Sequence, residues 1–371
     1  MKLVVVSSAP IVVLNGKKYM YGPYQKEMKI WAKYTDEIQF CCPIWREDKG
    51  LLIDEISFPI SNTIELKDFN IKSITNIPLA IYYSIINFFI ILKTVHSADH
   101  LHLRCPGNMA LLACIAQIFY PKKTKTAKYA GNWDPKSSQP WSYRIQKWIL
   151  SNTFLTKNMQ VLVYGEWPNQ TKNIKPFFTA TYSESDNKEV ESRDLSKRIR
   201  FLFVGMLSEG KQPLYVTQII KQLILKGFDV QLDYFGDGKM REEVERFCSE
   251  NDLKGKVFLQ GNQPKDKVEV AYQESHFLLL PSKSEGWPKV VAEAMFWGCV
   301  PVVTSVSCVP YMLDYGKRGI LLTNDIEKDV NSIVSIMNDS VMFTKMSNEA
   351  QSWSRKFTTD QFETEISKLL K

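Results

Sequence analysis

Short apolar runs alternate along this chain with longer segments of helical period. "KLVVVSS", "EIQFCCPI", "DHLHLRC", "KTAKYAGN" and "MQVLVYG" have the length and residue types of strands. Between them, "YGPYQKEMKIWAKY", a long apolar stretch over 77–95, "NMALLACIAQIFY" and "QPWSYRIQKWILSNTFLTK" read as helices. Strands alternating with helices of this length predict βαβ units and a parallel sheet. Residues 177–198 interrupt the pattern: "TATYSESDNKEVESRDLSKR" is polar, charged and without a long apolar period, as expected of a linker. The alternation then restarts, with "IRFLFVG", "DVQLDYFGDG", "KVFLQG", "HFLLLPS" and "VPVVT" as strands.

This order predicts two doubly wound α/β domains, residues 1–176 and 199–345, joined by the linker. A helical tail, 346–371, is free to pack back on the first domain. Ligands are expected outside the carboxyl ends of the strands.

A length of 371 residues supports two domains, and 44% hydrophobic with 23% charged residues is a globular balance. The formal charge of +7 suits an anionic ligand or an acidic membrane surface, and falls short of the basic stripe of a nucleic-acid binder. Seven cysteines, with Cys41 and Cys42 adjacent and no C-x-x-C, fit neither a disulfide framework nor a zinc site. His100 and His102 alternate on one strand without nearby acidic or Cys ligands, so no metal is expected. The opening apolar run breaks at Ser7, short of a signal peptide, and a cytoplasmic chain is expected. "IPLAIYYSIINFFIIL", over 77–92, is shorter than a span of ~20 residues and carries Ser84 and Asn87. It reads first as a helix buried on a sheet, and second as one touching a bilayer.

The candidate chemistry lies in "SEGWPKVVAEAMFWGCVPVVT", where Glu285 and Glu293 stand eight positions apart. Pro288 suits a first helical position and Gly298 a left-handed stop, predicting a helix over 288–297. Lys289, Glu293 and Trp297 recur on one face. A cation in the first turn opposes the helix dipole, and Lys before Glu is the weaker order for a pair. Both costs vanish if an anion sits at the helix start, where free N–H groups favour phosphate. The loop "FVGMLSEGK" adds Lys211 as a mobile counter-charge. Two carboxylates flanking phosphates, one for a sugar and one for a ribose, outline a nucleotide sugar.

With "YFGDGKMREEVE", "VFLQGNQP" and "GKRGILL", these segments resemble the nucleotide-sugar domain of family 4 retaining glycosyltransferases, bacterial surface-polysaccharide type, across most of 199–325. The resemblance implies a GT-B fold, two Rossmann-like domains facing across a cleft. It places Glu285 on the donor sugar, Glu293 on the ribose and Lys211 on the diphosphate. Gly205, Gly236, Asp237 and Gly238 fall in loops beside the nucleotide, and Gly286 and Trp287 offer backbone amides. Met206 stands where relatives carry Arg, and Pro288 replaces a Gly; Lys289, by its place in the first helical turn and outside the family's pattern, is the candidate to supply the missing cation. On the acceptor side Gly16, Lys17, His102, Arg104, Asn108, Gly131 and Asn132 are candidates, with Ala130 where relatives have His. The expected reaction moves a sugar from a nucleotide-diphosphate sugar to a hydroxyl acceptor, a lipid-linked or growing surface glycan, without metal or other cofactor. Peripheral contact at the inner face of the cell membrane, through the 77–92 helix and the basic run "YPKKTKTAK", and no contact with nucleic acid complete that expectation. Two alternatives are weaker. A non-catalytic sugar-nucleotide-binding protein draws on Met206, Ala130 and Pro288. A nicotinamide-dependent oxidoreductase lacks its G-x-G-x-x-G after either domain's first strand.

Overall fold

A computed structural model describes residues 1–70 and 73–371, which form two compact units. The first comprises Met1–Phe177 and Glu363–Lys371, the second Phe178–Phe362.

The first unit is built on a seven-stranded parallel sheet. Its strands run in the order Ile174–Phe177, Met159–Tyr164, Thr124–Tyr129, His100–Cys105, Lys2–Ser7, Glu37–Cys42, Asn62–Glu65. Lys2–Ser7 is central and buried from Leu3 onward, which is why its apolar run is unbroken. From it the chain passes through helix α1 (Gly22–Ala32) to the strands on one side. Helix α2 (Ile77–His96) then carries it to His100–Cys105 on the other. This reversal puts a topological switch point between Lys2–Ser7 and His100–Cys105, the place where open parallel sheets hold ligands. Helix α3 (Asn108–Ala116) packs between α2 and helix α4 (Trp141–Ser151).

"VLNGKKY", which carries the candidates Gly16 and Lys17, is a β-hairpin, Ile11–Leu14 paired with Lys17–Tyr21. Its two-residue turn is Asn15-Gly16, with φ of 49° and 76°, the left-handed pair that such hairpins require. Gly16 is an exposed turn residue, and the Lys17 ammonium pairs with Glu55 at 2.9 Å. Helix α2 is not mainly buried, contrary to the first expectation: of its 20 residues, Ala80, Asn87, Ile91, Thr94 and Val95 are buried. Asn87 belongs to that covered face, where its amide accepts from Lys67 N at 2.9 Å and donates to Lys67 O at 2.8 Å. Finally, residues 178–198 belong to the second unit. Phe178 and Tyr182 are core residues there, and Arg193 donates to the carbonyls of Gly298, Trp297 and Tyr272 at 2.8, 2.6 and 3.0 Å.

The second unit has a six-stranded parallel sheet in the order Val257–Gly261, Val230–Phe235, Ile199–Val204, Phe277–Leu280, Val300–Thr304, Ile320–Leu322. Its helices include α5 (Pro213–Leu225), α6 (Arg241–Glu250), α7 (Lys265–Glu274) and α8 (Lys289–Phe296). The switch point lies between Ile199–Val204 and Phe277–Leu280. The tail forms two helices, Ser340–Ser354 and Thr359–Leu370. Glu363, in the first unit, takes hydrogen bonds from Lys33 at 2.7 Å and Tyr34 at 2.9 Å.

Candidate functional site

Two loops leave the carboxyl ends of the switch-point strands of the second unit, 205–212 and 281–288, and the fold binds them to each other. Lys283 N donates to Gly210 O at 2.8 Å, and the Gln212 side chain donates to Pro281 O. Gln212 takes a left-handed conformation, φ 51°, as it turns the first loop into α5. Across the gap the Lys211 ammonium is in direct ion contact with Glu285 Oε1, and the two side chains are 28% and 11% exposed. The residues assigned from sequence to the donor sugar and to the diphosphate therefore form one contact. The Gly286 carbonyl accepts from Ser307 Oγ at 3.2 Å and Cys308 Sγ at 3.1 Å, which anchors the second loop from behind. Trp287 is buried against Trp353, Phe357 and Phe178, so its indole fastens the loop to the core. Met206 is 66% exposed on the first loop.

Helix α8 begins one residue later and ends one residue earlier than its sequence pattern suggests, with Pro288 as its N-cap in an extended conformation. Gly298, φ 68°, supplies the left-handed stop, with Gly298 N on Met295 O at 2.9 Å and Cys299 N on Ala294 O at 2.8 Å. Trp297 is buried rather than exposed beside Lys289 and Glu293. Glu293 is held away from the loop pair: its Oε1 accepts from Thr181 at 2.7 Å and its Oε2 from Tyr272 at 3.0 Å. Lys289 and Glu293 line one narrow crevice with Thr181, Tyr182 and Ser354. Thr181 and Tyr272 had no signal in the sequence, because the contact depends on how 178–183 packs.

The glycines assigned to the nucleotide have a structural duty. Gly236, φ 141°, lies so close to the first loop that a Cβ would stand 1.9 Å from Gly205 O, and one on Gly238 would be 2.4 Å from Leu207 O. Asp237 caps Gly238 N at 2.7 Å, and its carbonyl accepts from Leu207 N at 3.0 Å. Gly236→Ala is expected to cost on the order of 2–4 kcal/mol in denaturant unfolding, from a strained backbone plus the clash. Gly210→Ala, with nothing within 4 Å of its Cβ, is expected to be near neutral in the same measurement.

In the first unit the switch point gathers a charge cluster that the sequence showed only in part. Arg104, next to last in its strand, lies 4.1 Å over the Tyr24 ring and donates to Glu27 Oε2 at 3.3 Å. Lys128, on the next strand and 1% exposed, donates to the same oxygen at 2.9 Å. Burial opposes a charge on Glu27, yet Lys128 and Arg104 outweigh it and hold the carboxyl down to about 2. Asn108 opens α3 and donates to Phe69 O at 3.3 Å. Gly131 packs on Pro106, where a Cβ would be 3.2 Å from Cδ, and Asn132 accepts from Asp134 N at 2.9 Å. His102 is removed from the candidates. It is fully buried, its ring 4.2 Å from Trp31 and its Nδ1 2.9 Å from Thr126 Oγ1, and burial pushes it down to about 3, leaving it neutral. The run "YPKKTKTAK" is likewise mostly internal. Lys125 reaches Gln117 Oε1 at 2.8 Å, Lys123 reaches His96 O at 2.8 Å, and Lys122 is exposed. Among the described residues no group of His, Cys, Asp and Glu is arranged to hold a metal.

Comparison with known proteins places this geometry in a class. Residues 185–353, which contain both loops and α8, match the family model described as glycosyl transferases group 1. The poly(glycerol-phosphate) alpha-glucosyltransferase of Bacillus subtilis is 24% identical over 176 residues, 45% of this chain and 25% of that protein. The UDP-Gal:alpha-D-GlcNAc-diphosphoundecaprenol alpha-1,3-galactosyltransferase of Escherichia coli is 27% identical over 152 residues, 39% of each chain. These matches span less than half the length of either relative. The Anabaena protein Alr3699/HepE, solved with UDP, superposes over 99% of both chains with a TM-score of 0.68 at 16% identity. Fold and match together define the class: a chain of GT-B fold whose residues 185–353 are similar to glycosyl transferases group 1.

Proposed function

We propose that this protein is a retaining glycosyltransferase of the family 4 type, moving a sugar from a nucleoside-diphosphate sugar to an acceptor hydroxyl. The contact between Lys211 and Glu285, at the switch point of the matched domain, carries the reading. An incoming diphosphate competes for Lys211, and the released Glu285 carboxylate becomes available to the donor sugar's hydroxyls. As the bond between the anomeric carbon and the diphosphate oxygen breaks, Lys211 and the N–H groups opening α8 meet the charge that develops on the leaving oxygens. The acceptor oxygen bonds to the same carbon from the face that the diphosphate leaves, and its proton passes to a departing phosphate oxygen. This reading calls for no metal and no protein nucleophile. Ribose hydroxyls reaching Glu293 would replace the Thr181 and Tyr272 hydroxyls now on its two oxygens. The Escherichia coli relative, named for a UDP-sugar donor and a lipid diphosphate acceptor, supports a lipid-linked or growing surface glycan as acceptor, met at the cytoplasmic face of a membrane.

Titration calorimetry with UDP, GDP, ADP and dTDP tests the donor assignment. One nucleotide is expected to bind preferentially, with affinity falling about tenfold or more in Glu293→Ala, as for a lost charged hydrogen bond of ~1.5–3 kcal/mol. Binding of none of the four would overturn the reading. A second reading, a nucleotide-sugar binder without turnover, is favoured by Met206 in the phosphate loop and by the occupied oxygens of Glu293. It predicts binding without donor hydrolysis.

A further inference from the structure

Helices α2, α3 and α4 lie side by side on one face of the first unit, and their outer surface is apolar to an unusual degree. On α2, Ile81, Tyr82, Ile85 and Phe89 are 58, 59, 54 and 62% exposed. Beyond α3, Phe119 is 65% exposed, and on α4 Trp141 and Trp148 are 57 and 63% exposed. Isolated exposed apolar residues are ordinary, but a contiguous patch spread over three packed helices marks an interaction surface.

Charge identifies the partner. Residues 73–177 contain twelve Lys or Arg and only three Asp or Glu, so this segment holds more than the whole formal charge of +7. Beside the patch, Lys122, Lys157, Lys172 and Lys175 line one depression that has no acidic residue in its wall, and all four are exposed. The depression adjoins Phe119 and Phe154 in the chain, and the Lys157 ammonium lies 5.2 Å over the Phe154 ring. A second copy docking on this face by a two-fold contact would set like charges against each other. An anionic bilayer satisfies both features: aromatic and aliphatic side chains enter the interface while the lysines meet lipid phosphates.

We propose that the α2–α3–α4 face docks the protein on an anionic lipid surface in the plane of the membrane, with α2 lying along it rather than crossing it. The opposite side of α2 is committed to the sheet through Ile91 and Val95, both fully buried. The value of such docking to a lipid-linked acceptor rests on the proposed transfer activity; the docking itself does not.

Flotation of the full chain with vesicles of phosphatidylglycerol and phosphatidylcholine, against phosphatidylcholine alone, tests this. Binding is expected only with the anionic vesicles, with a blue shift of tryptophan emission and loss above several hundred millimolar salt. Two variants separate the contributions. Lys122→Glu with Lys157→Glu, Lys172→Glu and Lys175→Glu is expected to lower vesicle affinity at least tenfold. Phe89→Ser with Trp148→Ser is expected to do the same while leaving the circular dichroism spectrum and thermal midpoint of the first unit unchanged, which confirms that the altered unit is folded. Equal binding to both vesicle types, or anionic binding that survives either variant, overturns the proposal. So does a dimer in light scattering that the apolar variant dissolves, since the face would then be covered by a second copy. Vesicle binding without nucleotide binding would leave the docking face standing and remove the transfer reading alone.

Discussion

Lys211→Ala is expected to lower sugar transfer by about 10²–10³-fold, the range seen when one preorganised donor to a developing negative charge is removed. Its partner makes the loss larger than that of a neutral deletion. Without Lys211, Glu285 is left as a carboxylate, 11% exposed, beside the position assigned to the diphosphate, and repels it. The double variant Lys211→Ala with Glu285→Ala should therefore recover nucleotide affinity relative to Lys211→Ala alone while remaining inactive. Donor hydrolysis and transfer, measured alongside calorimetric nucleotide affinity for both single variants and the double, give the coupling between the two side chains. Additive effects on affinity would show that the contact is a surface ion pair without a part in donor binding. Retained transfer in Lys211→Ala would remove it from the mechanism.

Replacing Glu27 by Ala is expected to destabilise the first unit by about 3–5 kcal/mol, since it strands Lys128, 1% exposed, without its carboxylate. For a unit of this size that corresponds to a fall of roughly 6–20 °C in thermal midpoint, readable by calorimetry. The pH dependence has a definite sign. Glu27 is held down to about 2, below the ~4.3 of an unfolded glutamate, so its stabilisation is complete above that unfolded value. It is lost as pH falls from there through about 2. The wild-type protein should lose stability across that interval more steeply than Glu27→Ala, whose curve lacks this contribution. Parallel curves would mean that the cluster does not tie Glu27 to folding.

Helix α8 shows what was legible in the chain alone. Glu285, Pro288, Glu293 and Gly298 lie within one strand-to-helix connection, and their spacing announces the loop, the helix and its stop without reference to the rest of the molecule. The Asn15-Gly16 turn was equally local, because an Asn-Gly pair between two short runs is itself a hairpin signal. Glu27 and Lys128 are different: 101 positions separate them, and no period links a helix near one end of the unit to a strand four places later in the chain.

The alternation of strands and helices, the two doubly wound sheets and the E-x7-E connection were set by the sequence itself, because period and turn chemistry are properties of neighbouring residues. Tertiary structure alone decided which charges are internal. Lys125 and Lys128 look like part of a basic surface run until Gln117 and Glu27 are brought to them. It also decided the fate of α2, whose residues are apolar on nearly every side. Its composition is compatible with burial, spanning or docking, and only the packing of Ile91, Val95 and Asn87 on the sheet leaves Ile81, Ile85 and Phe89 facing outward. Burial is determined by what distant segments cover, and a one-dimensional pattern does not contain that.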